Sequence, residues 1–224
     1  MLTYKTLSLH TVGSYLYGLE SQDSDIDYVL VYKREPLDYI TLRNYDEYMP
    51  DKTLNEGQTV INYKYWDVKR FIRYVSTSNW QAFELLMAQR THCNSPESQY
   101  LFSVLHPNMF SIQALAYQCL NVSHSKSMRG YMKTACWVYL EFMLQYGKVP
   151  PTLNVIDVLD SIDIEPSLFE NEMMIFNLKR KGIKQHKMVI DIDHMEYKNR
   201  IAKLPLLEND FDFDALFKKV VLMT

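Results

Sequence analysis

The first ninety residues carry short apolar runs that predict a small β-sheet. The opening segment LTYKTLSLHTV alternates loosely and predicts a helical stub leading into a strand that ends near Val12. The run DIDYVLVY (residues 25–32) is rich in β-branched and aromatic residues and predicts a second strand, with Asp25, Asp27, Val29 and Val31 on one face. The run QTVINYKYW (residues 58–66) predicts a third strand after a polar, turn-prone insertion at 44–57.

Beyond Trp66 the apolar positions recur at helical spacing. The stripe in DVKRFIRYV predicts a helix that begins near Asp67, and Ser78 with Gln81 resembles a capping box that opens a second helix. After the polar hinge THCNSPES, further helices are predicted near 98–105, 109–122, 125–146 and 166–181, the longest of them ending at Gly147. Asp193 is the predicted N-cap of another helix, and DFDALFKKVVLM predicts the last one.

These elements predict an α/β (α+β) fold. A small mixed β-sheet with packed helices forms the core, and a mostly helical domain follows it. We expect the boundary near residue 90, with domains at 1–90 and 91–224.

Composition narrows the class of protein without identifying it. The 224 residues carry a net charge of −3 and 47% hydrophobic residues, which is typical of a globular chain and not of a strongly basic nucleic-acid coat. The three cysteines, an odd number without CxxC spacing, favour a reduced compartment and no zinc framework. No apolar run is long enough for a membrane span and no signal-peptide pattern is present, so we expect a cytoplasmic protein.

The segment GSYLYGLESQDSDID (residues 13–27) carries the chemistry. Asp25 and Asp27 stand at i and i+2 on a strand, so both carboxylates lie on one face and can bind one Mg²⁺ (or Mn²⁺). The Gly13-Ser14 turn lets backbone N–H groups and a hydroxyl approach phosphate oxygens closely. Together they predict a site for a nucleoside triphosphate beside a metal ion.

The pattern G-S-x(3)-G-x(5)-S-D-I-D resembles the signature of the DNA polymerase β-like nucleotidyltransferase superfamily. A closer similarity is to the predicted phage and bacterial nucleotidyltransferases that include the RNA-ligase-associated, RNA-repair branch. Their order of motifs matches VGSYLYGLESQDSDID, KRFIRYV, SNWQAFELL and YMKTACWVYLEFMLQYGKVP, over residues 8–150. The resemblance implies that Asp25 and Asp27 are catalytic metal ligands and that Gly13, Ser14 and Ser24 bind the nucleotide.

The third carboxylate that the superfamily usually carries on the next strand is not evident. By spacing, the position is Asn62, which can offer a carbonyl oxygen to a metal but cannot accept a proton at neutral pH. Glu84 is the other candidate, and Glu56 or Asp67 would serve if the strand register differs. Trp80 stands where the family usually has proline.

Cations for the triphosphate are expected on the long predicted helix. Lys126, Arg129 and Lys133 recur at i, i+3 and i+7 and predict a cationic stripe, for which a solvated helix face is the alternative. The cluster at residues 179–181 is interpreted as compensation of a helix dipole. The second DxD, at 191–193, lacks a preceding Gly-Ser turn and is interpreted as structural.

The sequence therefore predicts an enzyme: a Mg²⁺-dependent nucleotidyltransferase that moves a nucleoside monophosphate from an NTP to an acceptor hydroxyl. The resemblance favours an RNA or tRNA end as acceptor, while a protein side chain or a small molecule stays open. The alternative class is a catalytically weakened member that regulates by binding a nucleotide, RNA or protein, and Asn62 is its main support.

Overall fold

The structure is a computed structural model, and it describes residues 4–40, 49–91, 94–125, 128–183, 193–207 and 210–223. It is a mixed α+β fold, as predicted. The strands of its one five-stranded sheet are β1 (Tyr4–Val12), β2 (Ile26–Arg34), β3 (Lys52–Glu56), β4 (Thr59–Asp67) and β5 (Arg90–Thr91). The α-helices of the described residues are α1 (Pro36–Ile40), α2 (Val68–Ser76), α3 (Trp80–Met87), α4 (Pro96–Val104), α5 (Ile112–His124), α6 (Gly130–Tyr146), α7 (Val155–Leu159), α8 (Pro166–Arg180), α9 (His194–Ile201) and α10 (Phe213–Leu222).

The sheet has the order β3-β4-β2-β1-β5, in which only β2 and β4 run parallel. Its register places Val12 of β1 and Asn62 of β4 on either side of Asp27 of β2. One step further along, Val29 pairs with Lys64. Because directly paired residues point to the same face of a sheet, Asp27, Asn62, Val29 and Lys64 share one face.

Two sequence predictions for the sheet need correction, and one strand was not predicted. The helical stub at the N-terminus is wrong, because β1 is extended from Tyr4 onward, and its polar residues Ser8 and His10 are buried 2.8 Å apart, Oγ to Nε2. The insertion at 44–57 is not all turn, since β3 occupies its end as an edge strand with mostly exposed side chains. The two-residue strand β5 also escaped prediction.

Capping residues set the ends of the helices, and some of these ends differ from the predicted ones. The predicted start of α2 near Asp67 is confirmed, and Asp67 is its N-cap. The N-cap of α3 is Asn79 and not Ser78, which has a left-handed φ of +51°. The long helix starts at Gly130 rather than 125, and Gly147 ends it in a left-handed conformation, as expected.

The described chain forms two compact units. The first, which we call the sheet unit, comprises Met1–Gly13, Asp25–Met109 and Glu208–Thr224, and the second, the helical unit, comprises Ser14–Ser24 and Phe110–Leu207. The domain division predicted near residue 90 stays a prediction.

The sheet unit has its core where α2, α4 and α10 meet. α2 buries Val68, Phe71, Ile72 and Val75, and α10 adds Leu216, Val220 and Val221. The helical unit is built on α6, which is buried over most of its length. Its Glu141 accepts a hydrogen bond from Tyr197 and one from Arg200 at 3.1 Å, which fixes α9 against α6.

Candidate functional site

Two aspartates stand at the start of β2. The strand itself begins at Ile26, so Asp25 directly precedes it, and Asp27 is its second residue. Asp25 is exposed and Asp27 half-buried, although the strand becomes fully buried a few residues later. The placement of both carboxylates at the accessible end of a buried strand suits metal ligands.

Gly13 approaches Asp27 too closely for any other residue type. Its φ is +70°, and a Cβ built on it would lie 2.4 Å from Oδ2 of Asp27. A side chain at position 13 would therefore both strain the backbone and displace the carboxylate. Since Val12 pairs with Asp27, the turn that follows β1 is held against the carboxylate by the sheet register itself.

Asn62 occupies the position that the sequence assigned to it. It pairs with Asp27 across β4 and β2, and its Nδ2 donates a hydrogen bond to Asp27 Oδ1 at 3.1 Å. Its own Oδ1 accepts a hydrogen bond from Thr53 at 2.9 Å. The amide thus orients the carboxylate of Asp27 and offers no base.

Two of the predicted substitutes for a third carboxylate stand elsewhere. Asp67 pairs with Tyr32 at the opposite end of the sheet, caps α2 and lies 3.4 Å from Arg34 in a buried ion pair. Glu56 pairs with Thr59 at the end of the exposed β3–β4 hairpin. Neither lies in the row of Asp27.

Glu84 lines a cavity on the Asp27 face of the sheet. The cavity has a volume of about 290 Å³ and lies between β4, α2 and α3, and we call it the sheet cavity; its lining includes Val12, Val29, Lys64, Arg70, Glu84 and Leu85. Trp80 Nε1 donates a hydrogen bond to Oε1 of Glu84 at 3.1 Å. Burial raises the pKa of the Glu84 carboxyl to about 8.

The connector Ser14–Ser24 belongs to the helical unit, where two cations of α8 contact it. Ser24 Oγ accepts a hydrogen bond from the Ser21 N–H at 2.8 Å, and Lys179 Nζ lies 3.5 Å from the same oxygen. Arg180 Nε donates to the Gly18 carbonyl at 3.0 Å. Lys179 is buried, with only 5% of its surface exposed. The interpretation of this cluster as dipole compensation alone therefore missed these two contacts, which join residues 155 and 162 positions apart in sequence.

The predicted cationic stripe is wrong as a helical feature. Arg129 is the extended N-cap residue of α6, so it precedes the helix, while Lys133 lies within it. Lys126 lies outside the described residues. The Arg129 guanidinium donates a hydrogen bond to the Tyr131 hydroxyl at 3.5 Å, and Lys179 Nζ lies 5.4 Å from the centre of the Tyr131 ring.

The model of the RlaP family, described as the RNA repair pathway DNA polymerase beta family, matches residues 3–212. The chain belongs to this family. RlaP membership supports a general nucleotidyltransferase function and, with it, a nucleotide substrate. It also bears out the resemblance that the GS and SDID motifs indicated.

The other comparisons add little. No curated protein matches the chain significantly. A nucleotidyltransferase-like protein from Exiguobacterium sibiricum has a similar structure at 10% sequence identity and a TM-score of 0.31, over 97% of this chain and 70% of that one. At that TM-score the similarity supports no further conclusion.

The donor set of this RlaP member fits one hard cation. Mg²⁺ is commonly held by one or two carboxylates and completed by phosphate oxygens and water. Asp25 and Asp27 supply two carboxylates, and the described residues contain no cluster of three or more His, Cys, Asp or Glu side chains around a metal position.

None of the described helices combines the length and the apolar character that a membrane span needs.

Proposed function

We propose that the protein transfers a nucleoside monophosphate from an NTP to the hydroxyl of an RNA end, tRNA included, with Mg²⁺ or Mn²⁺, and releases pyrophosphate. The close approach of Gly13 to the Asp27 carboxylate carries this proposal, because it brings a phosphate-type turn and a metal-type ligand together. The RNA end as acceptor is suggested by the description of the matched family.

In this proposal Asp25 and Asp27 hold the metal ion, which neutralises phosphate charge and polarises the α-phosphate when bound. Asn62 keeps Asp27 in one orientation through its 3.1 Å hydrogen bond. The N–H groups and hydroxyls of Gly13, Ser14 and Ser24 bind phosphate oxygens.

The phosphate-binding role extends from the predicted cations to one further residue. Lys179 lies 3.5 Å from Ser24 and Arg180 donates to the Gly18 carbonyl, so two positive charges of the helical unit contact the connector. We assign phosphate binding to Lys179, and Arg129, Lys133 and Lys126 remain candidates from the sequence alone.

In this proposal Glu84 is the general base, because the Asn62 amide cannot accept a proton. In its ionised form, a carboxylate whose pKa is raised to about 8 is a stronger base than an ordinary glutamate, which suits proton abstraction from a hydroxyl. The acceptor oxygen then bonds to the α-phosphorus, the bond from that phosphorus to the β-bridging oxygen breaks, and the proton passes to Glu84.

A radiolabelled NTP with Mg²⁺ or Mn²⁺, offered separately to total RNA, cell protein and small hydroxylated compounds, tests the proposal. We expect label in the RNA, and a loss of at least about a hundredfold in Asp27→Asn, because a metal centre contributes several kcal/mol to such a reaction. Asp193→Asn is the matched control: Asp193 belongs to the second DxD but caps α9, a task that asparagine performs equally well.

The Asn62 amide beside Asp27 favours a second function, that of a regulator, because an amide cannot act as a base. If the protein is a regulator that binds nucleotide without transferring it, NTP binding persists while no fraction becomes labelled. Label in protein or in small molecules instead of RNA would keep the chemistry and change the acceptor.

A further inference from the structure

The sheet cavity begins in the row of Asp27, because Val12, which pairs with Asp27, is one of its lining residues. Val29 and Lys64, which are paired across β2 and β4, line it, and they follow Asp27 and Asn62 by two positions on the same face. Two residues of a strand span about 7 Å. A group bound in the sheet cavity can therefore reach a phosphate held beside Asp27.

From the row of Asp27, the Gly13 turn and the sheet cavity extend in opposite directions along the strands. β1 runs antiparallel to β2, so the chain passes Asp27 at Val12 and continues to Gly13 in the direction away from Val29. An in-line displacement needs its attacking and leaving oxygens on opposite sides of the phosphorus. With the NTP phosphates at the Gly13 turn, the attacking hydroxyl comes from the side of the cavity.

The side chains that line the sheet cavity indicate which class of hydroxyl compound binds there. Lys64 and Arg70 are cationic, which disfavours a polyamine such as an aminoglycoside, while the Asp51 carboxylate disfavours a bare phosphate. A ribonucleotide satisfies both, because it carries a phosphate for a cation and a diol that a carboxylate can bind. The volume of about 290 Å³ is at the lower limit for ligand sites, so it suits a single nucleotide.

We propose that the sheet cavity binds the terminal ribonucleotide of the RNA acceptor, with Lys64 at its phosphate and Glu84 at its ribose hydroxyls. This rests on the proposed function and adds to it a site and the form of the acceptor end: a free 2′,3′-diol.

Binding of a fluorescent trinucleotide to the full-length protein, without NTP or metal, tests the assignment directly. We expect Lys64→Met to weaken binding of the RNA trinucleotide by about tenfold, the value of one charge-assisted contact. Glu84→Gln keeps an oxygen that accepts the hydrogen bond from Trp80. It should weaken binding of the diol-ended RNA, but not binding of the same RNA with a 3′-terminal 2′,3′-dideoxynucleotide. Lys69→Met, an exposed lysine of α2 outside the cavity, is the control and should change nothing.

Binding of a non-hydrolysable NTP analogue with Mg²⁺, measured on the same variants, separates this proposal from the proposed function. Lys64→Met should leave analogue binding within twofold of the wild-type value. If it weakens the analogue as much as the RNA, the cavity belongs to the donor nucleotide. The proposal for the cavity would be overturned if diol-ended and dideoxy-ended RNA bind equally well. It would also be overturned if the wild type binds no RNA at millimolar concentration. Failure of NTP binding alone would overturn the proposed function instead.

Discussion

At the scale of single residues, the arrangement around Asp27 depends on the absence of a side chain at Gly13. The Asp27 carboxylate occupies the space that a Cβ would fill, and Asn62 holds its other oxygen. Only glycine combines the φ of +70° with this approach.

Gly13→Ala should therefore damage the site more than the fold. The positive φ costs about 1 kcal/mol for alanine, and the clash with Asp27 adds displacement of a proposed metal ligand. We expect labelled NTP transfer to fall at least about tenfold and stabilisation by Mg²⁺ in thermal unfolding to disappear.

Gly57→Ala is the matched control, because Gly57 has a φ of +63° with open space around the missing Cβ. The positive φ should lower the free energy of unfolding of Gly57→Ala by the same amount as that of Gly13→Ala, while the activity of Gly57→Ala stays unchanged. Equal activity in the two variants would contradict the role given to the Gly13 turn.

At the scale of elements, one buried carboxylate connects strands to helices. Glu97 of α4 accepts contacts from Lys33 of β2 at 2.8 Å and Lys5 of β1 at 2.6 Å, and Lys33 also donates to the Met223 carbonyl after α10. Desolvation raises the pKa of Glu97, but the hydrogen bonds from Lys33 and Lys5 outweigh it and lower the pKa from 4.5 to about 2.

This shift predicts how stability depends on pH. Because the folded-state pKa is lower, the contribution of Glu97 is complete above about pH 4.5 and is lost as the pH falls to about 2. Glu97→Gln should remove that part of the acid dependence and cost about 3 kcal/mol at neutral pH, since the ammonium group of Lys33 stays buried without a negative charge beside it.

Urea unfolding between pH 2 and 7 measures both effects, with Glu35→Gln, an exposed carboxylate of the same unit, as the control. A Glu97→Gln protein with the acid dependence of the wild type would contradict the assigned pKa.

At the scale of the whole chain, residues far apart in sequence complete the sheet unit. Its last helix, α10, buries Val220 completely, although the strands lie in the first half of the chain. The strands therefore depend on the final residues for their core.

Val220→Asp should lower the melting temperature by roughly 10 °C, because an unpaired charge in a core costs about 4 kcal/mol or more. Leu222→Asp, on the same helix but 66% exposed, should leave it nearly unchanged. Circular dichroism during heating distinguishes them, and an equal effect of the two substitutions would show that α10 is not part of the core.

The local rules in the sequence determined the α+β class, the strand that carries Asp27, the helix beginning after Asp67 and the chemistry expected of GSYLYGLESQDSDID. These are effects of alternation, capping and glycine conformation, which act over a few residues. The edge strand β3 escaped because its exposed side chains show no apolar pattern. The spacing of the strands also indicated Asn62 as the position opposite the aspartates. Only the tertiary structure decided that the Asn62 amide donates to Asp27, that Glu84 lines a cavity beside Val29, and that Lys179 lies at Ser24, because strand register and helix packing fix contacts between side chains that are distant in sequence.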